Sequence, residues 1–166
     1  MIYSDGAILE GHFKDGVAEG KGRKIFPNAE YIEGHFSSGK PNGKGKRVKR
    51  DGSYYEGDMV DGIPEGDGKQ HFANNDEYVG ELRAGKFNGE GKLVTNNGTV
   101  IYEGTFKDGV LHGYGKYYET TSNKRYEGDF VFGKESGKGI SISRNGDKYE
   151  GEFYNGKRHG YGTLTK

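Results

Sequence analysis

The stretch YEGEFYNGKRHGYGTLT, residues Tyr149–Thr165, is the cleanest copy of a unit that recurs along the chain. Its first glycine, the one in Tyr-Glu-Gly, has equivalents at Gly11, Gly34, Gly57, Gly80, Gly104 and Gly128, with a spacing of 23 or 24 residues throughout. Five residues beyond each lie Gly16, Gly39, Gly62, Gly85, Gly109, Gly133 and Gly156. Nine and eleven residues beyond come Gly-x-Gly pairs, from Gly20/Gly22 to Gly160/Gly162. These four positions in seven copies account for 28 of the 32 glycines, and Gly6, Gly52, Gly98 and Gly146 fall in the joints between copies. A fixed internal period of this length is the mark of a repeat architecture.

Size and composition agree with that reading. The chain has 166 residues, of which only 30% are apolar, so a core gathered around one centre would be thin. Stacked repeats avoid the difficulty because each unit buries its apolar face on its neighbours. The 13 Tyr and 9 Phe recur at fixed intervals, which argues against disorder. Positive and negative side chains number 25 each, so no bulk field draws the protein to nucleic acid or membrane. The absence of cysteine excludes disulfides, thiolate metal sites and thiol nucleophiles, and fits a reducing, cytoplasmic setting. No apolar run approaches the length of a membrane span.

Within each copy the apolar residues alternate with period two, which predicts strands. Two residues before the first glycine stand Leu9, Ile32, Tyr55, Tyr78, Tyr102, Tyr126 and Tyr149; two after it stand Phe13, Phe36, Met59, Leu82, Phe106, Phe130 and Phe153. The flanking positions, Glu10/His12 through Glu150/Glu152, form a wet face. A turn follows at Asp15-Gly16 and its equivalents, where glycine takes the positive φ of a hairpin turn. The joints, such as Asn28-Ala29, Asp51-Gly52, Asn74-Asn75-Asp76 and Asn145-Gly146, are turn-formers again. Each copy therefore reads as a β-hairpin, short connections leave no room for crossover helices, and the sheet is antiparallel. Three glycines per copy within strands need a reason, and the one expected is a neighbouring aromatic ring lying flat on the bare backbone.

The pattern Tyr-Glu-Gly-x-Phe, an x-Gly turn, then x-His-Gly-Tyr-Gly-x-Leu-x resembles the MORN repeat (membrane occupation and recognition nexus), over residues 9–166. Leu9 and Ile32 in place of the tyrosine, Met59 and Leu82 in place of the phenylalanine, and Val79 in place of the glutamate are mild departures. The resemblance implies an all-β, elongated, single-layer array of hairpins, with residues 1–8 as the tail of a preceding copy. Both ends break off in mid-pattern, which suggests a segment cut from a longer array in preference to a very short natural protein. The resemblance also implies tethering roles at cytoskeletal or membrane-cortical sites, or service as an accessory module beside a lipid-kinase or SET methyltransferase domain.

Motifs with chemistry are few. Gly34–Lys40, Gly80–Lys86, Gly128–Lys134 and Gly151–Lys157 approach a phosphate-binding loop, but Pro41, Phe87, Glu135 and Arg158 stand where that loop needs Ser or Thr, and each run closes a hairpin instead of opening a helix. His12 and His35 could approach one another beside Glu10 and Glu33; solvated histidines are the default, and no metal or cofactor is assigned. No spacing suggests a catalytic triad or an acid–base pair, so no enzyme is expected.

Charge is more informative. Arg23, Lys46, Lys69, Lys92 and Lys116 form a basic ladder twelve residues after the first glycine, broken at Ile140 and Thr163. Paired through two-residue joints, the ladder shares a face with the tyrosines and suits an acidic helix or phosphorylated surface; a bulge at the Gly-x-Gly pair reverses that, leaving the ladder to balance the glutamates. Arg47 and Lys49 belong to the densest basic run, Lys40–Arg50, which offers an anionic lipid phosphate contacts; nucleic acid is the weaker option.

The leading expectation is a non-catalytic module that takes a helical or extended segment of a partner protein along an aromatic groove. Tyr55, Tyr78, Tyr102, Tyr126 and Tyr149 are its contact row, with Phe106, Phe130 and Phe153 beside them. The alternative is peripheral attachment to acidic phospholipid such as phosphoinositide. Self-association through the last strand, Tyr161–Lys166, is a side expectation.

Overall fold

A computed structural model describes residues 1–95 and 97–166. Fourteen strands follow one another: β1 (Ile8–Lys14), β2 (Val17–Ile25), β3 (Tyr31–Ser37), β4 (Lys40–Val48), β5 (Tyr54–Val60), β6 (Ile63–His71), β7 (Glu77–Arg83), β8 (Lys86–Thr95), β9 (Val100–Lys107), β10 (Val110–Glu119), β11 (Lys124–Val131), β12 (Lys134–Ile142), β13 (Lys148–Tyr154) and β14 (Lys157–Thr165). Their order in the sheet is their order in the chain, adjacent strands are antiparallel, and no helix occurs among the described residues. The chain divides into two units, Met1–Asn74 with Glu81–Gly85 and Asn75–Gly80 with Lys86–Lys166.

The turns follow from chemistry that the sequence displays. In all seven hairpins both central residues have positive φ, for example Asp15 at 50° and Gly16 at 78°, the geometry whose twist matches that of the flanking strands. Each such glycine N–H from the second hairpin onward donates to a carbonyl of the preceding hairpin, as Gly39 does to Ala18 (3.0 Å) and Gly133 to Leu111 (2.8 Å). The turns thus stitch consecutive copies together. The joints close on longer loops than two residues: Phe26 N–H donates to Glu30 C=O (2.8 Å), and Asn28 Oδ1 accepts from Glu30 N–H (3.1 Å). Ahead of β1, Ile2 pairs with Ile8 as Ile25 pairs with Tyr31 one period later.

In six of the hairpins a β-bulge falls at the first residue of the Gly-x-Gly pair. In hairpin 1, Gly11 pairs with Gly22 but Phe13 pairs with Ala18, so His12 faces three residues of β2, and the same two-residue shift recurs in hairpins 2, 3, 5, 6 and 7. Gly20, at φ 93°, supplies the left-handed backbone that the bulge requires. Between hairpins 1 and 2, 2 and 3, 4 and 5, 5 and 6, and 6 and 7 the register runs straight.

The packing is made by rings on bare backbone. A Cβ placed on Gly68 would lie 2.4 Å from Tyr55 Cε2, and one on Gly139 would lie 2.4 Å from Tyr126 Oη; Gly91 and Gly162 sit in the same way under Tyr78 and Tyr149. The expected seat of ring on glycine is present. Where the tyrosine is replaced, the next hairpin fills the seat: Phe36 lies over Gly22 and Met59 approaches Gly45. In the first unit Leu9, Ala18 and Phe36 form a buried cluster against Tyr3. In the second, Tyr78 stacks on Phe87 with centroids 3.7 Å apart, and Phe153 stands edge-on to both Tyr126 (4.9 Å) and Tyr149 (5.2 Å).

Candidate functional site

Register assigns every side chain to one of two faces. Tyrosine, glycine and phenylalanine of the repeat share one face, and the glutamate beside the glycine lies on the other. On the tyrosine face, Tyr55, Tyr78, Tyr126, Tyr149, Phe106, Phe130 and Phe153 are all buried, from 0% exposure at Tyr78 to 7% at Tyr149 and Phe153. This corrects the sequence reading, which placed these rings in an open groove. They are occupied by the sheet itself, because the glycines opposite leave a flat seat that no side chain contests. The hydroxyls turn inward as well: Tyr55 donates to Asp58 C=O (2.6 Å), Tyr126 to Asp129 C=O (2.9 Å) and Tyr149 to Glu152 C=O (3.1 Å). Burial, reinforced by Asp58 and Asp67, pushes the Tyr55 hydroxyl up to about 12, and burial raises Tyr126 too.

Tyr102 is the exception. Leu111, not a tyrosine, approaches Gly115, and the Tyr102 ring is half-buried, tilted against Tyr117 at 5.3 Å. Burial, then the Glu135 carboxylate, raises its hydroxyl.

The basic ladder also lies elsewhere than on the tyrosine face. The joints ahead of β3 and β5 turn on three residues and the two-residue bulge leaves the faces unchanged, so Arg23 pairs with Glu10 and Glu33, and Lys46 with Glu33 and Glu56; Lys69 likewise pairs with Glu56, Lys92 with Glu103, and Lys116 with Glu103 and Glu127. Ion pairs follow at Arg23–Glu33 (4.0 Å), Lys46–Glu56 (3.8 Å) and Lys116–Glu127 (3.3 Å). A cation between glutamates offers little attraction to a further anion, so the ladder balances the acidic row. The Lys40–Arg50 cluster is neutralised in the same way: Lys40 meets Asp61 (3.0 Å), Lys44 meets Asp58 (2.8 Å) and Arg47 meets Glu30 (3.8 Å), while Lys49 stands exposed at a joint. His12 lies against Lys21 C=O (3.3 Å) and His35 pairs across the strands with Lys21. Among the described residues no three His, Asp or Glu side chains converge as metal ligands.

A concave surface lies on the glutamate face of hairpins 5 to 7, within the second unit. One open depression of about 570 Å³ has Tyr114 and Tyr161 on its rim, Ile140 and the backbone of Gly128, Gly139 and Gly151 in its floor, and Glu150 and Glu152 in its wall. A second of about 420 Å³ shares Glu127 and Ile140 with it and continues along the strands to Tyr118, Arg125 and Ile142. The two make one trough centred on Ile140, the residue that interrupts the ladder. In the sequence this position was visible only as a missing lysine; neither the face nor the concavity could be read there.

The family model for the MORN repeat matches residues 10–29, 33–54, 55–77, 78–100, 102–119, 126–148 and 149–166. The chain belongs to the MORN-repeat family. The matched segments 55–77, 78–100, 126–148 and 149–166 each contain the tyrosine-on-glycine packing described above, and the family is a repeat module without catalytic machinery of its own. Comparison with curated proteins gave no match. Among solved structures, the TCP domain of SAS-4 (dCPAP) of Drosophila melanogaster, in complex with a proline-rich motif of Ana2 (dSTIL), is similar over 100% of this chain and 87% of that one, at 16% identity and a TM-score of 0.46.

Proposed function

We propose that this MORN chain is a non-catalytic scaffold or adaptor module that holds a segment of a partner protein in the trough centred on Ile140. In this reading it tethers that partner at a cytoskeletal or membrane-cortical site in the cytoplasm. The observation that carries it is the trough itself: an apolar and glycine floor with exposed aromatic rings at its rim, on a face otherwise covered by paired charges. Aromatic rings that a partner buries are among the few residues that carry most of an interface's energy. The ion pairs of the Lys40–Arg50 cluster favour this reading over attachment to acidic lipid, since Lys40, Lys44, Lys46 and Arg47 already face carboxylates and only Lys49 and Arg50 of the run stand exposed.

Ile140→Lys is the sharpest test, because the ladder carries Lys or Arg at this position in five other copies and the substitution is compatible with the fold. Lysine there lies between Glu127 and Glu150, its cross-strand neighbours, and fills the centre of the trough with a solvated charge. In a quantitative pull-down from the source cell, Ile140→Lys is expected to lower capture of the partner at least tenfold with an unchanged circular dichroism spectrum. Capture equal to that of the unaltered chain would refute the trough as the binding surface.

A further inference from the structure

The trough is electrically polarised, and the polarity follows from the break in the ladder. Elsewhere on this face a glutamate of the acidic row has a base on the strand beside it. Glu150 does not: its cross-strand neighbours are Ile140 and Thr163, and its ion partner is Lys148 on its own strand (3.0 Å). One strand position along, Glu152 pairs with Lys138, and its Oε2 also accepts the Tyr161 N–H (3.2 Å). The end of the trough toward the hairpin turns is lined by three carboxylates, Glu127, Glu150 and Glu152, and one base, Lys138; the ion partners of Glu127 and Glu150, Lys116 (3.3 Å) and Lys148 (3.0 Å), stand toward the other end, level with Ile140 and Ile142.

The other end has the opposite sign. Past Ile140 and Ile142 toward the joint, the lining bases are Lys116 and Arg125 against Glu127, and a further depression of about 330 Å³ beyond them is lined by Arg125 and Arg144 with no carboxylate. From Lys138 to Ile142 is four residues of β12, about 13 Å at strand rise, and Arg144 lies just beyond in the joint. An acidic end, an apolar middle of Ile140, Ile142 and Tyr118, and a basic end therefore succeed one another within the span of a short extended peptide.

We infer that the partner segment is a charge-block sequence: basic residues seat against Glu150 and Glu152, apolar residues against Ile140 and Ile142, and acidic residues against Arg125 and Arg144. This rests on the reading of the trough as the protein-binding surface and adds the chemistry of what enters it. An arginine or lysine at the acidic end supplies the cross-strand charge that Ile140 and Thr163 withhold, while its methylene stem covers Ile140. Wholly acidic or wholly basic segments meet like charge at one end.

The chain contains no tryptophan, so a tryptophan in a probe peptide reports binding without background. Two peptides with blocked termini and one composition are compared: Lys-Arg-Lys-Ile-Trp-Ile-Glu-Asp-Glu, with its charges in blocks, and Lys-Ile-Glu-Arg-Trp-Asp-Lys-Ile-Glu, with them interleaved. The block peptide is expected to bind saturably and at least tenfold more tightly than the interleaved one. That advantage should fall below threefold in the double variant Glu150→Gln/Glu152→Gln and at high salt. Equal affinities, or an advantage untouched by the double variant, overturn the charge-block inference. If neither peptide binds while Ile140→Lys still abolishes native capture, the inference fails and the trough reading survives. Native capture indifferent to Ile140→Lys sinks both.

Discussion

Gly139→Ala is expected to destabilise the second unit by about 3 kcal/mol or more, an unusually large effect for the addition of one methyl group. The backbone of Gly139 is not in the left-handed region, so the cost is one of space alone. The added Cβ would lie 2.4 Å from Tyr126 Oη and 2.6 Å from its Cζ and Cε2. The ring has to leave its seat, losing its bond to Asp129 C=O (2.9 Å) and its edge contacts with Phe130 (5.1 Å) and Phe153 (4.9 Å). Gly52→Ala provides the comparison: φ there is 84° and nothing lies within 4 Å, so only the conformational cost remains, about 1 kcal/mol. Denaturation midpoints of the two variants measure the difference. A Gly139→Ala protein no less stable than Gly52→Ala would mean that the ring does not rest on the backbone.

Tyr126→Ala is the second large effect, expected at about 3–5 kcal/mol from the cavity left by a buried ring and the lost hydroxyl bond. Tyr102→Ala, by contrast, is expected to cost about 1.5 kcal/mol, since its ring is half-buried and Leu111 takes its place near Gly115. Two tyrosines at one repeat position thus differ in role because residue 111 is leucine. Comparable losses for both variants in urea unfolding would contradict the assignment.

Most of the fold was legible because glycine is so specific in its uses. The x-Gly turns, the seven-fold register and the absence of crossovers all follow from positions such as Asp15-Gly16 and the short joints, and the strands form where that pattern puts them. The face of each row was not legible. A two-residue joint at Asn28-Ala29 would set Arg23 opposite Gly34 on the tyrosine face, whereas the joint turns on three residues and sets it opposite Glu33; the bulge at Gly20 adds two residues and leaves the faces unchanged. Arg23 and Lys46 therefore read as neighbours of the tyrosines, although their cross-strand partners are Glu33 and Glu56.

The aromatic row was misread for a different reason. Two expectations, that rings lie on bare glycine and that the same rings greet a partner, compete for one set of side chains. Burial at Tyr55, Tyr78, Tyr126 and Tyr149 decides for the first. The trough is not legible in the sequence because its defining residue, Ile140, is an ordinary strand isoleucine. Only its place between Glu127 and Glu150, on the glutamate face, makes it the floor of a concavity.

Acetylation of the folded chain with N-acetylimidazole, mapped residue by residue by mass spectrometry, tests most directly that the repeat tyrosines build the sheet and leave the opposite face to a partner. Tyr114, Tyr154 and Tyr161, at 54%, 67% and 90% exposure, are expected to react first and Tyr102 more slowly. Tyr55, Tyr78, Tyr126 and Tyr149 are expected to stay unmodified until the chain is denatured. Early modification of those four, at the pace of Tyr161, would contradict the account.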